Sequence, residues 1–322
     1  MLVQFYSDNQ RKTVPGVWPI YELYAIRQDS TMSKFILFIS SLFIFTNIYS
    51  QNKPKTILWE ITQNGSNLKS YLFGTLHEVN PDFFDSLTNS VSKLKNSDIL
   101  YVEETNSVRD KSNILQNPSI WNKSKWDSIL SKEQAIIFER FISKAERSEF
   151  NNLPPLILNR VITGMYLRDF CQLSNSYENL TLDGKIEKFA HENYKQVLSL
   201  DENQADLLTM TSKAVDSNLN LEYAKGIINL MSKMLNEDMS NCNIITEYKS
   251  FNIDYMLEVD YTKYPNQSPL LIDRNIKWIK ILDNSLRKYN CFIAVGLKHL
   301  FYKQGLIQQL RALGYKVRPI IP

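Results

Sequence analysis

The sequence is poor in glycine, histidine and cysteine, and it has no excess of one charge. Its 322 residues include 9 glycines, 3 histidines and 3 cysteines. Cys171, Cys242 and Cys291 lack the Cys-x-x-Cys spacing of a zinc knuckle or a disulfide framework, and spacing alone does not identify the partners of a single disulfide. The 37 basic and 34 acidic residues give a net charge of +3. This balance offers no electrostatic basis for nucleic-acid binding, and none is expected.

One long apolar run stands out from this ordinary composition. Residues 35–49 follow the basic start Met32-Ser33-Lys34 and end before Ser50. A basic start, an apolar stretch of about 15 residues and a small residue at its end are typical of a secretory signal peptide, which we place at residues 32–50. The stretch is shorter than the ~20 residues that span a bilayer comfortably, and a retained membrane anchor is the alternative.

The position of this signal also bears on the start of translation and on localisation. An export signal normally begins close to the amino terminus, so we expect translation to start at Met32 and residues 1–31 to be an extension outside the translated protein. After cleavage near Ser50, the mature chain is expected outside the cytoplasm, either periplasmic or secreted. It would contact a membrane only if the apolar segment 35–50 were retained.

Strand-forming and helix-forming patterns alternate along the rest of the chain. Asn64-Gly65 predicts a hairpin, and Gly74 is expected to end the second strand. Asn80-Pro81 and Ser268-Pro269 predict helix starts, and residues 202–240 read as one long amphipathic helix. Strands are predicted at residues 56–62, 68–73, 99–102, 195–200, 292–295 and 315–320.

This alternation predicts an α/β fold. Its central sheet should be mainly parallel, with helices on both faces. Between about residues 107 and 190 the pattern is mainly helical, and no low-complexity linker marks a second domain. We therefore expect one domain over residues 56–320 with a helical middle section.

Two of the three histidines follow the same local pattern: a short apolar strand, a glycine, two residues and the histidine. His77 ends the run Gly74-Thr75-Leu76-His77, and His299 ends Gly296-Leu297-Lys298-His299. Because glycine is rare in this chain, two such units among three histidines are an unusual coincidence. They suggest that both histidines belong to one site.

The predicted strands bring chemistry-bearing residues to one edge of the sheet. Ligands of open α/β sheets gather outside the carboxyl ends of the strands, where His77, Glu103, Asp201 and His299 are expected. Two imidazoles and one carboxylate are a common ligand set for a catalytic divalent ion that keeps open positions for water. The sequence therefore predicts a metal site formed by His77, Glu103 and His299, with Asp201 a weaker candidate.

Each of these residues also has a simpler structural interpretation. A histidine after a strand is most often a hydrogen-bonded surface or core residue, and a carboxylate there is most often a helix cap or a solvated loop residue. His191 lies in a helical stretch beside Glu192 and is expected to be structural. Arg274 and Asn275 would most often belong to a solvated helix face, although Asn275 has the spacing of the apolar face and would need partners if buried.

Four segments together resemble the TraB/PrgY/GumN family, to which Tiki-type metalloproteases are related. Leu58-Trp59-Glu60-Ile61 with the first Gly-x-x-His unit is similar to the family's opening signature, and Asp98–Glu103 is similar to its acidic strand. Arg274-Asn275 resembles its Arg-Asn helix. Residues 294–317, with the second Gly-x-x-His unit, resemble its carboxyl-terminal signature. The resemblance covers residues 56–320.

The resemblance implies an exported, metal-dependent hydrolase with a peptide or protein substrate. It also implies kinship with erythromycin esterase-like and haem-binding ChaN-like folds. By position, His77, Glu103 and His299 would be metal ligands or catalytic groups, with Glu103 a ligand or the general base. Arg274 and Asn275 would support the site or stabilise an oxyanion. Manganese, cobalt and zinc all suit such ligands, and the pattern specifies neither the ion nor the oligomeric state.

Two departures from the family pattern keep a second function open. Lys298 stands where relatives usually have a small residue, and Tyr302 stands where a glycine often follows the second histidine. A cation pointing into the site would compete with a metal ion, and we expect Lys298 to point outwards. If catalysis has been lost, the alternative is a protein that binds and sequesters a peptide signal or haem without turnover. A membrane-tethered interaction protein would require retention of residues 35–50.

We predict that the mature protein begins at Gln51. Amino-terminal sequencing of the protein from its native host should yield Gln51 as the first residue, because cleavage is expected after the small residue Ser50. Detection of peptides from residues 33–50 in the native protein would instead identify a retained anchor.

Overall fold

Six strands in the described part of the chain form one mixed sheet. This computed structural model describes residues 53–105, 121–172, 181–263 and 269–322. The predicted extension at residues 1–31 and the predicted signal peptide at residues 32–50 lie outside these ranges. The strands are β1 Leu58–Thr62, β2 Lys69–Thr75, β3 Ile99–Val102, β4 Gln196–Ser199, β5 Cys291–Gly296 and β6 Lys316–Ile320.

The sheet is mainly parallel, as the sequence predicts. Its strand order is β4-β3-β5-β2-β1-β6. β3 pairs in parallel with both β4 and β5, and β5 pairs in parallel with β2. Only β1 runs in the opposite direction, between β2 and β6. The carboxyl ends of β2, β3, β4 and β5 therefore lie along one edge of the sheet.

The first two strands form the predicted hairpin, although β2 is longer than expected. Gly65 in the turn has φ +76, a left-handed conformation that glycine adopts without strain. β2 does not end at Gly74 but continues to Thr75. A Cβ atom at Gly74 would lie 2.6 Å from Leu297 Cδ1. Glycine is needed here because a neighbouring segment packs closely on the strand, rather than because the chain turns.

Helices account for most of the remaining described residues, and the middle of the chain is helical as predicted. None of the helices in the described ranges combines the length and the apolar content needed to cross a membrane. The helices are α1 Phe83–Ser86, α2 Thr88–Lys95, α3 Lys123–Ile129, α4 Lys132–Ala145, α5 Pro155–Gly164, α6 Leu182–Glu192, α7 Gln204–Ala214, α8 Ser217–Leu235, α9 Asn243–Lys249, α10 Pro269–Leu286 and α11 Leu306–Ala312.

The prediction of one long helix at residues 202–240 is wrong. The segment forms α7 and α8, with extended backbone at Val215 and Asp216 between them. The Asp216 side chain accepts a hydrogen bond from the Leu219 amide at 2.8 Å. Aspartate is a preferred helix N-cap because it satisfies an amide that has no partner within the helix. Apolar residues recur at helical spacing in both helices, so the sequence pattern alone does not reveal the break between them.

Both faces of the sheet are covered by helices. Phe73 of β2 packs on Phe84 of α1, with ring centres 5.8 Å apart, and Phe84 in turn meets Phe189 of α6. Tyr101 of β3 points to the opposite face, where its hydroxyl lies 2.5 Å from Ser285 Oγ of α10. The α/β prediction is confirmed at this level. The kinship with esterase-like and ChaN-like folds stays a prediction.

Cys171 and Cys242 form a disulfide across the helical middle section. The bond joins the end of the helical turn Met165–Phe170, which follows α5, to the residue before α9. Cys291 is a buried free thiol in β5. The disulfide closes a loop between positions 71 residues apart, so it restricts the unfolded chain considerably.

Replacing Cys171 and Cys242 together by serine should lower the free energy of unfolding by about 4 kcal/mol, the size expected for a loop of this length. Urea unfolding of the variant and the parent protein measures the difference. Reduction of the parent should reproduce the loss and should leave the variant unchanged. A parent protein that exposes three reactive thiols when it is denatured without reductant would contradict the bond.

Candidate active site

Four strand-end residues meet at the carboxyl edge of the sheet, although 222 positions separate the two histidines. His77 follows β2, Glu103 follows β3, Asp201 follows β4 and His299 follows β5. A Cβ atom built at Gly296 would lie 2.9 Å from Glu103 Oε1, 3.8 Å from His299 Cδ2 and 3.9 Å from His77 Nε2. Both rings and the carboxylate therefore surround one point. We call these four residues, with Asp183, Arg274 and Asn275, the carboxyl-edge site.

The Arg274 guanidinium lies at the centre of the buried part of this site. Its Nε donates to Asp201 Oδ2 at 2.9 Å, its Nη2 donates to Glu103 Oε2 at 2.5 Å, and its Nη1 lies 3.1 Å from His299 Nε2. The guanidinium carbon also lies 4.4 Å from the ring centre of Trp278. Arg274 comes from α10, so one helix holds the ends of three strands together.

Glu103 is buried and fully engaged by hydrogen bonds. Its Oε1 accepts the Gly296 amide at 2.7 Å, and its Oε2 accepts Arg274 and the Gln204 side chain. Burial alone would raise the pKa of Glu103, but nearby positive charge, chiefly that of the Arg274 guanidinium, holds it well below its ordinary value. Glu103 is therefore ionised throughout the neutral range.

His299 is held in one tautomer by Asn275. The Asn275 amide donates to the backbone oxygens of His299 and Gln304, so its Oδ1 faces His299 Nδ1 at 2.7 Å. This arrangement assigns the proton of His299 to Nδ1 and leaves Nε2 to accept from Arg274. The pKa of His299 is lowered to about 3, mainly by burial; the charge of Glu103 opposes this shift and the adjacent Arg274 adds to it. The ring is neutral.

His77 has a different partner, Asp183, which sequence reasoning missed. His77 Nδ1 contacts Asp183 Oδ2, and the Thr75 hydroxyl donates to Asp183 Oδ1 at 2.6 Å. The charge of Asp183 raises the pKa of His77 to about 9, outweighing the opposing effect of burial. The ring is therefore protonated at neutral pH. The sequence feature that could have indicated Asp183 is an acidic residue in the first helical turn after the Thr181 N-cap. Many ordinary helices share this pattern.

The site contains further residues that no sequence motif indicated. Trp278 donates its Nε1–H to Asp201 Oδ1 at 2.7 Å and packs on the His299 ring at 4.3 Å between ring centres. Trp278 and Arg274 are four positions apart on α10, so they lie on the same face of the helix. Gln204 at the start of α7 adds the hydrogen bond to Glu103. These contacts fix the positions of the buried carboxylates.

The two residues that depart from the family pattern are accommodated away from the buried groups. Lys298 has solvent access, as expected, although the packing of protein atoms around it lowers the pKa of its amine. Tyr302 has φ +70, a conformation that glycine adopts readily and other residues adopt at a cost of about 1 kcal/mol or more. The Tyr302 ring stacks on Tyr261, with centres 4.7 Å apart. The backbone here explains why a glycine suits this position.

The donors of the carboxyl-edge site, as they are placed, do not fit a divalent ion. Of the three predicted ligands, Glu103 and His299 already bind Arg274 through Oε2 and Nε2. Glu103 Oε1 accepts the Gly296 amide, and His77 is paired with Asp183 through Nδ1. An ion at bonding distance from Glu103 Oε2 and His299 Nε2 would lie against the positive guanidinium. Within the described ranges, no three His, Cys, Asp or Glu side chains are arranged to hold one ion.

Fold and site together define an α/β protein whose parallel strands end in two Gly-x-x-His units and a buried carboxylate–arginine pair. The model of the TraB/PrgY/gumN family matches residues 57–319, so the chain belongs to this family. The family resemblance of the sequence is thus confirmed over nearly the whole mature chain. Neither a curated protein nor a solved structure matches the sequence significantly.

Gly296→Ala should destabilise the protein by about 1–3 kcal/mol, because the added methyl group would press on Glu103 Oε1 in a tightly packed region. Urea unfolding measures the change. Gly164→Ala is the matched control: a Cβ there meets nothing within 4 Å and lies at the end of α5, so stability should be unchanged or rise by up to about 1 kcal/mol. Equal effects of the two substitutions would refute the close approach at Gly296.

Proposed function

We propose that this chain is an exported hydrolase that acts on peptide or protein substrates at the carboxyl-edge site. The observation that carries the proposal is the pairing of a partly exposed histidine, His77, with the buried carboxylate of Asp183. A carboxylate behind an imidazole orients the ring and stabilises its charged form, as catalytic histidines require. The peptide substrate is proposed from the kinship of the family with Tiki-type proteases.

His77 is the group of the site best placed to meet a substrate. Its side chain is 36% exposed, whereas those of Glu103, Asp201, Arg274 and His299 are each less than 10% exposed. With its Nδ1 held by Asp183, the Nε2–H of the protonated ring can donate a proton to a leaving group or a carbonyl oxygen. The neutral ring that results can then accept a proton from water.

The buried residues of the site have a supporting role in this proposal. Ionised Glu103 lies close enough to His77 to favour its protonated form. Arg274 and Asn275 hold Glu103 and His299 in fixed positions and do not themselves reach solvent. The family resemblance also implies a divalent ion, but because the donors present do not fit one, we assign it no step.

The disulfide supports export of the protein. Disulfides persist in the periplasm and outside the cell, and they are rare in the reducing cytosol. The Cys171–Cys242 bond therefore agrees with the signal peptide predicted at residues 32–50 and with an extracytoplasmic site of action. A peptide substrate is compatible with this location.

A second candidate function is binding without turnover, for a peptide signal or haem. The observation that favours it is that the buried groups of the site bond to one another. The partly exposed imidazole of His77 is then the group of the site that can meet a ligand. An accessible histidine in the site also suits axial coordination of haem. Titration with haem distinguishes the two candidates, because a haem-binding protein shows a Soret shift that is lost in His77→Ala.

His77→Ala and Asp183→Asn should each lower kcat by about 10²–10⁴-fold, since both remove the oriented proton donor. Cleavage of a quenched-fluorescent peptide library by the purified protein provides the measurement. His191→Ala is the matched control, because this exposed histidine on α6 contacts only Glu187 among the carboxylates and should keep full activity. Full activity in His77→Ala would eliminate the proposed mechanism.

A further inference from the structure

We propose that Arg274 is the resident cation of the carboxyl-edge site and takes the place of the divalent ion that the sequence motifs imply. The chain then binds no divalent metal at this site, and removal of the guanidinium creates a metal site there. The proposal does not rest on the hydrolase function, because it concerns only what Glu103, Asp201 and His299 bind.

Arg274 contacts the kinds of side chain that a metal ion would bind, but it does so through three separate nitrogen atoms. A guanidinium carries five N–H donors in a planar fork. In Arg274, donors on all three nitrogens are directed to different partners: Nε to Asp201, Nη2 to Glu103 and Nη1 to His299. These partners follow β4, β3 and β5. One positive group thus joins the carboxyl ends of three adjacent parallel strands.

The electrostatics of the site require a cation at this point. Glu103 and Asp201 are 7% and 4% exposed, so their negative charges are shielded little by water. Two buried carboxylates that share one space are strongly destabilising unless a positive group pairs with them. Arg274 supplies that charge permanently, because a guanidinium does not lose its proton at physiological pH.

Arg274 is also held so that it cannot easily leave. Its guanidinium lies over the Trp278 ring at 4.4 Å, an arrangement that attracts a cation to the face of the ring. The Trp278 Nε1–H donates a hydrogen bond to the other carboxylate oxygen of Asp201, Oδ1. A competing ion would have to displace a guanidinium whose nitrogen atoms lie 2.5–3.1 Å from the donor atoms. Metal–ligand bonds of about 2 Å leave no room for both cations.

The same geometry predicts what happens when the guanidinium is removed. Arg274→Ala leaves two carboxylates and an imidazole around the vacated space, and their freed atoms are Glu103 Oε2, Asp201 Oδ2 and His299 Nε2. His299 keeps its proton on Nδ1 through Asn275, so the Nε2 lone pair faces the space. The three side chains are not arranged around one ion as they stand, so they must move towards one another to share it. Loss of the guanidinium charge favours that movement, because His and carboxylate donors bind first-row divalent ions.

Co²⁺ titration of the purified full-length chain tests the proposal, with visible absorption and calorimetry as readouts. The parent protein and Arg287→Ala, which lacks an exposed arginine just beyond α10, should bind no Co²⁺ that depends on His299. Arg274→Ala should bind one equivalent with an affinity at least on the order of 100-fold higher, because a nearby positive charge is gone. The double variant Arg274→Ala/His299→Ala should lose this binding.

Two outcomes would overturn the proposal. The first is that the parent protein binds one equivalent of Co²⁺ and the His299→Ala variant does not. This comparison does not depend on whether any Arg274 variant folds. The second is a folded Arg274→Ala protein, verified by circular dichroism, that gains no Co²⁺. Arg274→Lys keeps a cation on the helix and should behave as the parent does. None of these readouts depends on enzymatic activity, so a failed hydrolase assay leaves them intact.

Discussion

The contact of Arg274 with Glu103 and Asp201 is the interaction on which the rest of the site depends. Neither carboxylate could stay buried and charged without it. Because Arg274 and Trp278 both come from α10 and bond the carboxylates that follow β3 and β4, the position of this helix fixes the ends of both strands. The packing of α10 on the sheet and the geometry of the site are therefore coupled.

The close packing around the site depends on glycine at two positions. At Gly296 the absent side chain lets the backbone amide reach Glu103 Oε1, and at Gly74 it lets Leu297 pack on β2. Neither glycine has a left-handed backbone. The two Gly-x-x-His units are thus best understood as close-approach positions between adjacent strands.

The strands and their common edge were predictable because their signals are local. Ile99–Val102 is an unbroken apolar run, and Asn64-Gly65 specifies its hairpin by turn chemistry. The partners of the site residues were less accessible to prediction. Asp183 reaches His77 only because the first turn of α6 lies beside the end of β2, a long-range placement that no spacing encodes. The burial of Arg274 likewise depends on which face of α10 meets the sheet, and periodicity indicated this only for Asn275.

The two histidines of the paired motifs consequently have different chemistry in spite of their similar sequence setting. His299 is neutral and enclosed, with one nitrogen on Asn275 and the other facing Arg274. His77 is partly exposed and charged, because its partner is a carboxylate. The asymmetry separates a buried histidine from one that is partly exposed to solvent. The proposed function begins at His77 for this reason.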